Sequence, residues 1–335
     1  MAPGVNFGNT LEAIGSGTPP FSTSQEGAWG NPAANQAIFD AYKAAGFKSV
    51  RIPVAWNEYA DASGNINAAW MARVTEVVNY ARNSGLYVII NIHWDGGWMQ
   101  PTYADQAAVN ARLTTFWTQI ANNFKTYDDH LMFAGTNEVA VKDTYTAPTA
   151  ENCAVQNGFN QAFVTAVRAT GGNNASRFLV VQGYATNIDW TVSCDATLPA
   201  DSASGKMMME VHYYDPYDFT LNSGSTIWQW GASATDPTAT ETWANESYTD
   251  AQFQKVKTAF VDKGVPVILG EYGAYTKPAY PGMDAYRLKW DQYITHSAFG
   301  HGVVPIYWDT GGLINRSTGA PVDTAGITTL IDAAK

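Results

Sequence analysis

Eight short apolar runs, separated by stretches of helical period, limit this chain to very few folds. The runs are GVNFG (4–8), KSVRIPV (48–54), LYVIINIH (86–93), LMFAGTNE (131–138), RFLVVQG (177–183), KMMMEVHYY (206–214), VPVILGE (265–271) and VVPIYW (303–308). Most show no polar alternation, as expected of strands covered on both faces. The stretches between them read as amphipathic helices at 31–46, 68–85, 105–125, 157–172, 250–264, 283–300 and 324–335, most with a glycine just past the end. In the first, Asn31 reads as the N-cap with Pro32 at the first helical position. The segment 185–196 (ATNIDWTVSCDA) reads as a single short turn in a loop. Eight alternating units predict an α/β fold, a single (β/α)8 TIM barrel domain over residues 1–335. The long connections follow strands one, four, five and six, so the working face is expected at the strand C-termini.

Two glutamates close apolar runs, Glu138 after LMFAGTN and Glu271 after VPVILG. Strand ends four and seven lie on roughly opposite sides of an eight-stranded ring, so their carboxylates could meet over its mouth. Retaining glycosidases need such a pair ~5–5.5 Å apart, one protonated acid and one ionised nucleophile. Glu271 reads as the nucleophile and Glu138 as the acid that its charge keeps protonated. A lone glutamate at a strand end is more often a cap or the partner of a core arginine; two at matched ends argue for chemistry. Arg51, His93, Asn137, His212 and Tyr214 fall at other strand ends. A buried Arg51 would need an anion, which Glu271 could supply, and Asn137 could bond a sugar 2-hydroxyl.

Of twelve tryptophans, only Trp70, Trp117 and Trp290 lie in the helical patterns. The others sit on or after strand ends, where indole faces could stack on sugar rings. Trp29, Trp94, Trp98, Trp228, Trp230 and Trp308 are the substrate-binding candidates, whereas Trp56 and Trp243 read as filler under loops. A row of such rings suits an extended neutral chain cut internally.

Seven strings, NFGNTLEA, VRIPVAW, VIINIHWDGGW, FAGTNE, EVHYYDP, ILGEYGA and YWDTGG, resemble those of glycoside hydrolase family 5, particularly its bacterial and rumen-type endo-β-1,4-glucanases. They run in order from residue 4 to about 313. The resemblance implies a (β/α)8 barrel, retention of configuration, Glu138 as acid/base and Glu271 as nucleophile. It also implies that Arg51 and Tyr214 touch the nucleophile, that His212 touches the acid, and that Trp308 floors the subsite of the reacting sugar. Family members commonly carry a glutamate four residues before the acid and a proline after it, where this chain has Ala134 and Val139.

The net charge of −11 and a pI near 4.8 argue against nucleic acid or an anionic membrane surface as partner. No run reaches the ~18 apolar residues of a membrane span. The expected partner is a neutral β-glucan, with cellulose-type chains first and xyloglucan, mixed-linkage glucan or mannan as alternatives, and segment 225–247 is expected to decide among them. A metal-dependent hydrolase using His93, Asp95 and His212 is disfavoured, because no two histidines stand at ligand spacing. A non-catalytic carbohydrate-binding barrel would not need both glutamates. Neither cofactor nor metal is expected, and a monomer is. Cys153 and Cys194 lie in polar segments beyond adjacent strands and read as a disulfide, hence an exported or periplasmic protein in mature form without its signal peptide. Sequons at Asn174, Asn245 and Asn315 would matter only in a eukaryotic source.

Overall fold

A computed structural model describes residues 1–194 and 197–335. Eight parallel strands close into a barrel in sequential order: β1 Gly4–Asn6, β2 Ser49–Ile52, β3 Tyr87–Asn91, β4 Leu131–Ala134, β5 Leu179–Gln182, β6 Met207–His212, β7 Val267–Glu271 and β8 Val303–Tyr307. β1 pairs with both β2 and β8, which seals the ring and leaves no edge. The α-helices are α1 Gln36–Ala45, α2 Ala68–Asn83, α3 Tyr103–Asn123, α4 Ala150–Ala169, α5 Ile188–Cys194, α6 Tyr217–Thr220, α7 Glu246–Ala259, α8 Met283–Gly300 and α9 Thr324–Ala333. This is the (β/α)8 barrel read from the alternation. The strands are shorter than the apolar runs, because pairing stops where side chains turn from packing to the open face.

Side-chain alternation divides the core in two. Ile89, Met132, Ala134, Val180, Met208, Ile268 and Ile306 fill the barrel, while a larger shell including Val50, Val88, Phe133, Val181, Val211 and Leu269 packs beneath the helices. Ala134 therefore belongs to the apolar barrel filling. Above that layer the inward positions become polar.

Several local expectations are corrected. The first helix begins at Gln36 after Asn35, not at Pro32. Asn31 instead donates to the carbonyls of Gly8, Asn9 and Thr310, tying the loops after β1 and β8 together. α4 starts at Ala150, seven residues earlier than its apolar period suggests, because Thr149 and Asn152 form a reciprocal cap. The segment after β5 carries two turns of helix in α5, which includes Trp190; the last two residues of that segment lie outside the described ones. Asn174 is fully buried and its amide donates to Ala121 and Thr170, which leaves no room for a glycan.

Cys153 on α4 and Cys194 at the end of α5 form a disulfide across 41 residues, with Cα atoms 5.5 Å apart. Among the described residues, no helix is long and apolar enough to cross a membrane. The connections on the C-terminal side of the strands include 7–35, 135–149, 213–245 and 308–323, so the loop mass gathers on that face.

Candidate active site

The polar layer begins with Arg51, fully buried on β2. A guanidinium in a barrel core needs anions and acceptors on every side. Arg51 donates through Nη1 to Glu271 Oε1 at 2.9 Å and to Asn6 Oδ1 at 2.9 Å, and through Nη2 to Asn137 Oδ1. Its Nε lies 2.9 Å from Glu210 Oε1. The amide of Asn6 donates to the carbonyls of Gly270, Ile306 and Tyr307, which fixes its oxygen toward Arg51. Asn137 accepts from Arg51 through its oxygen, which turns its amide nitrogen away from the guanidinium.

Glu271 is the last residue of β7 and is 5% exposed. Tyr214 donates its hydroxyl to Glu271 Oε2 at 3.2 Å. Burial pushes the Glu271 carboxyl above its ordinary range, while the charges of His212 and Arg51 pull it back. Glu138 lies four residues beyond β4, in left-handed backbone with φ 48°. Its side chain stands open to solvent, and its Oε1 meets His212 Nδ1 at 2.7 Å. One oxygen of Glu138, one of Glu271 and a ring nitrogen of His212 lie within 4.8 Å of one another. The two carboxylates therefore face each other across one gap.

His212 ends β6 where its register against β7 shifts, and it bridges two acids: Nδ1 to Glu138 and Nε2 to Glu210 Oε1 at 3.1 Å. Burial opposes a charge on the ring, but Glu271, Glu138 and Glu210 overcome it and raise His212 to about 9. The imidazolium donates from both nitrogens and keeps no lone pair, so the Glu138, His212 and Glu271 cluster does not suit a metal ion. Asp95 serves another purpose, accepting the backbone N–H groups of Asn57 and Glu58. His93, two residues past β3, is pushed well below its ordinary value by burial and by Arg51 and His212. Asn91 accepts from Val54 and turns its amide nitrogen to His93 Nδ1 at 3.2 Å, so the neutral ring carries its proton on Nε2. The ring stacks on Trp308, with centroids 5.8 Å apart and planes at 7°.

Glu210 was missed by the sequence reading. It is fully buried, and although burial alone would push its carboxyl up, Arg51 and His212 hold it at about 2. Gly270 makes the space: a Cβ there would fall 1.9 Å from Glu210 Oε1. A charged residue inside MMMEVH is the same signal that singled out Arg51, and it could have found Glu210.

The tryptophans divide. Trp29 and Trp94 are 42% and 55% exposed, and Trp98, Trp228 and Trp308 are half-buried around the open face. Trp230 is corrected as a substrate contact: it is 2% exposed, donates to Ala244 O at 2.7 Å and packs on Tyr293. Trp56 is buried filler, but Trp243 is 46% exposed against the side of Tyr248. Within 225–247, Trp228 stacks on Tyr280 and Gln229 forms a bridge with Thr240. Beside the carboxylate pair, a chamber of about 520 Å³ opens between the loops after β7 and β8, lined by Tyr214, Tyr275, Asp284, Arg287, Trp308 and Asp323 among others.

Residues 10–312 match the family model described as cellulase, glycosyl hydrolase family 5. The chain belongs to glycosyl hydrolase family 5. A xyloglucan-specific endo-β-1,4-glucanase of Bacteroides ovatus is 42% identical over 99% of this chain and 68% of its own length. Endoglucanase A of Paenibacillus barcinonensis is 39% identical over 93% of this chain and 81% of its own. A solved family 5 xyloglucanase of Paenibacillus pabuli superposes with a TM-score of 0.93 at 39% identity, covering 99% of this chain and 98% of that one. This glycosyl hydrolase is an enzyme of the endo-β-1,4-glucanase class, endo-acting with retention of configuration.

Proposed function

We propose that this family 5 enzyme cleaves internal β-1,4-glucosidic bonds of a glucan main chain, with Glu271 as nucleophile and Glu138 as acid/base. The observation that carries the reading is the pair of carboxylates facing across a gap under 5 Å, with His212 against both. In the first displacement Glu271 attacks the anomeric carbon while Glu138 gives its proton to the departing glycosidic oxygen. In the second, Glu138 takes a proton from water, which attacks the glycosyl ester and returns Glu271 as a carboxylate. Arg51 and Tyr214 hold one oxygen each of Glu271, so the attacking lone pair is aimed before substrate arrives. The Asn137 amide is placed for the 2-hydroxyl of the reacting sugar, and Trp308, stiffened by His93, for its apolar face.

Xyloglucan is the second reading of the substrate. Two relatives of about 40% identity are named for that polymer, and the chamber beside Trp308 offers a substituted main chain room that an unbranched one would not need. Reducing-sugar release from carboxymethyl cellulose, mixed-linkage glucan, xyloglucan and mannan decides among them. Glu271→Gln should abolish turnover on all four while calorimetry still detects oligosaccharide binding; a variant that keeps turnover would refute the assignment. We propose further that the protein is exported and degrades cellulose-type β-glucan outside the cytoplasm, with residues 1–335 forming one catalytic domain that acts as a monomer. The Cys153–Cys194 disulfide supports export.

A further inference from the structure

Glu138 is held in an unusual way. Its backbone is left-handed, which disfavours any residue with a Cβ and persists only where neighbours impose it. Its N–H donates to Gln182 Oε1 at 3.2 Å. Gln182 ends β5, is fully buried and stands in register with Glu210 on β6. Its own backbone is clamped, since the carbonyl accepts from Asn160 at 2.7 Å and from Gln156 at 3.0 Å, both on α4. With the amide oxygen facing Glu138, the amide nitrogen faces the Glu210 side. Both that nitrogen and Glu210 Oε2 are buried and without a hydrogen-bond partner among the described residues, which leaves each as the neighbour the other can satisfy.

We propose that Gln182 is a positioning residue for the acid/base. It closes a ring of four side chains in which Glu138 bonds His212, His212 bonds Glu210, Glu210 faces the Gln182 amide, and Gln182 returns to the Glu138 backbone. The ring joins the ends of β4, β5 and β6, and sets both the direction of the Glu138 carboxyl and its distance from Glu271. Gln182 itself exchanges no proton and meets no sugar. An amide suits the place because it must accept from an N–H on one side and donate to a carboxylate on the other, which neither Glu nor Leu can do together.

The inference rests on Glu138 being the acid, and leaving-group dependence tests both separately. A 2,4-dinitrophenyl β-cellobioside departs with almost no protonation, whereas a β-glucan bond needs the acid. Gln182→Leu should lower kcat on β-glucan roughly 10- to 100-fold with KM nearly unchanged, and lower the rate of nucleophile glycosylation by the dinitrophenyl substrate less than about threefold. Equal losses on both substrates, or none on either, would overturn the proposal. Gln182→Glu keeps the shape and the acceptor for the Glu138 N–H, but sets a second carboxyl against Glu210. It should retain the wild-type leaving-group dependence and displace the pH profile of kcat/KM; a profile superimposable on the wild type would also overturn it. Glu138→Ala is the control: it should spare the glycosylation step on the dinitrophenyl substrate, and equal losses there would refute the acid assignment itself.

Discussion

Replacing Glu210 by Gln removes one charge from the buried cluster and leaves its shape. In the folded protein Glu210 is held at about 2 against an ordinary 4.5. At about 1.4 kcal/mol per unit, the carboxylate contributes about 3 kcal/mol of stability through Arg51 and His212, an order-of-magnitude figure for a fully buried group. Unfolding entropy of about 2.1 cal/mol/K per residue gives about 0.7 kcal/mol/K for 335 residues, so Tm should fall about 4 °C at pH 6. Because the folded value is depressed, this stability is present above pH 4.5 and is lost as pH falls toward 2. By pH 3 less than half of it remains, so the Tm gap between variant and wild type should shrink in the same proportion. The variant's His212 loses one of the acids that raise it, so the basic limb of kcat/KM should move to lower pH. Differential scanning calorimetry at pH 3, 4.5 and 6 makes the measurement. A gap that stays constant across that range, or no gap at pH 6, would refute the electrostatic account of the cluster.

Trp308→Ala should raise KM and lower kcat/KM on oligosaccharides by about tenfold, the order expected from losing one aromatic face, as read from initial rates on cellotetraose. Double replacement of Cys153 and Cys194 by Ser should cost about 4 kcal/mol in the chain-entropy view for a 41-residue loop, or 5–6 °C in Tm, with kcat unaltered. Asp95 is raised by burial to about 7, so ionising it costs folded-state stability as pH rises from 4 through 7. Asp95→Asn loses one acceptor for the Asn57 and Glu58 N–H groups, but its Tm relative to wild type should rise from pH 5 to pH 8; a difference independent of pH would count against that reading.

The barrel was legible because each strand is buried on both faces and each helix on one, and both constraints write a period into the residues. Glu138 and Glu271 were legible because a carboxylate at the end of an apolar run contradicts that period. The same contradiction marks Glu210 inside MMMEVH as it marks Arg51 inside SVRIPV, so that signal alone is enough to find it. Helix starts were read less well: Asn31 looks like a cap, but the chain spends it on bridging two loops, and the capping pair Thr149 and Asn152 lies outside the apolar stripe that marks α4.

By itself the sequence determined the barrel and the placing of two carboxylates at the C-terminal ends of its strands, since these follow from which residues can share an interior with apolar neighbours. Only the tertiary structure decided which charges satisfy one another: that Arg51 is shared between Glu210 and Glu271, that His212 bridges two acids, and that Trp230 is covered while Trp243 is open. Burial and hydrogen-bond direction depend on elements up to hundreds of residues apart in the chain, and no local pattern carries that information.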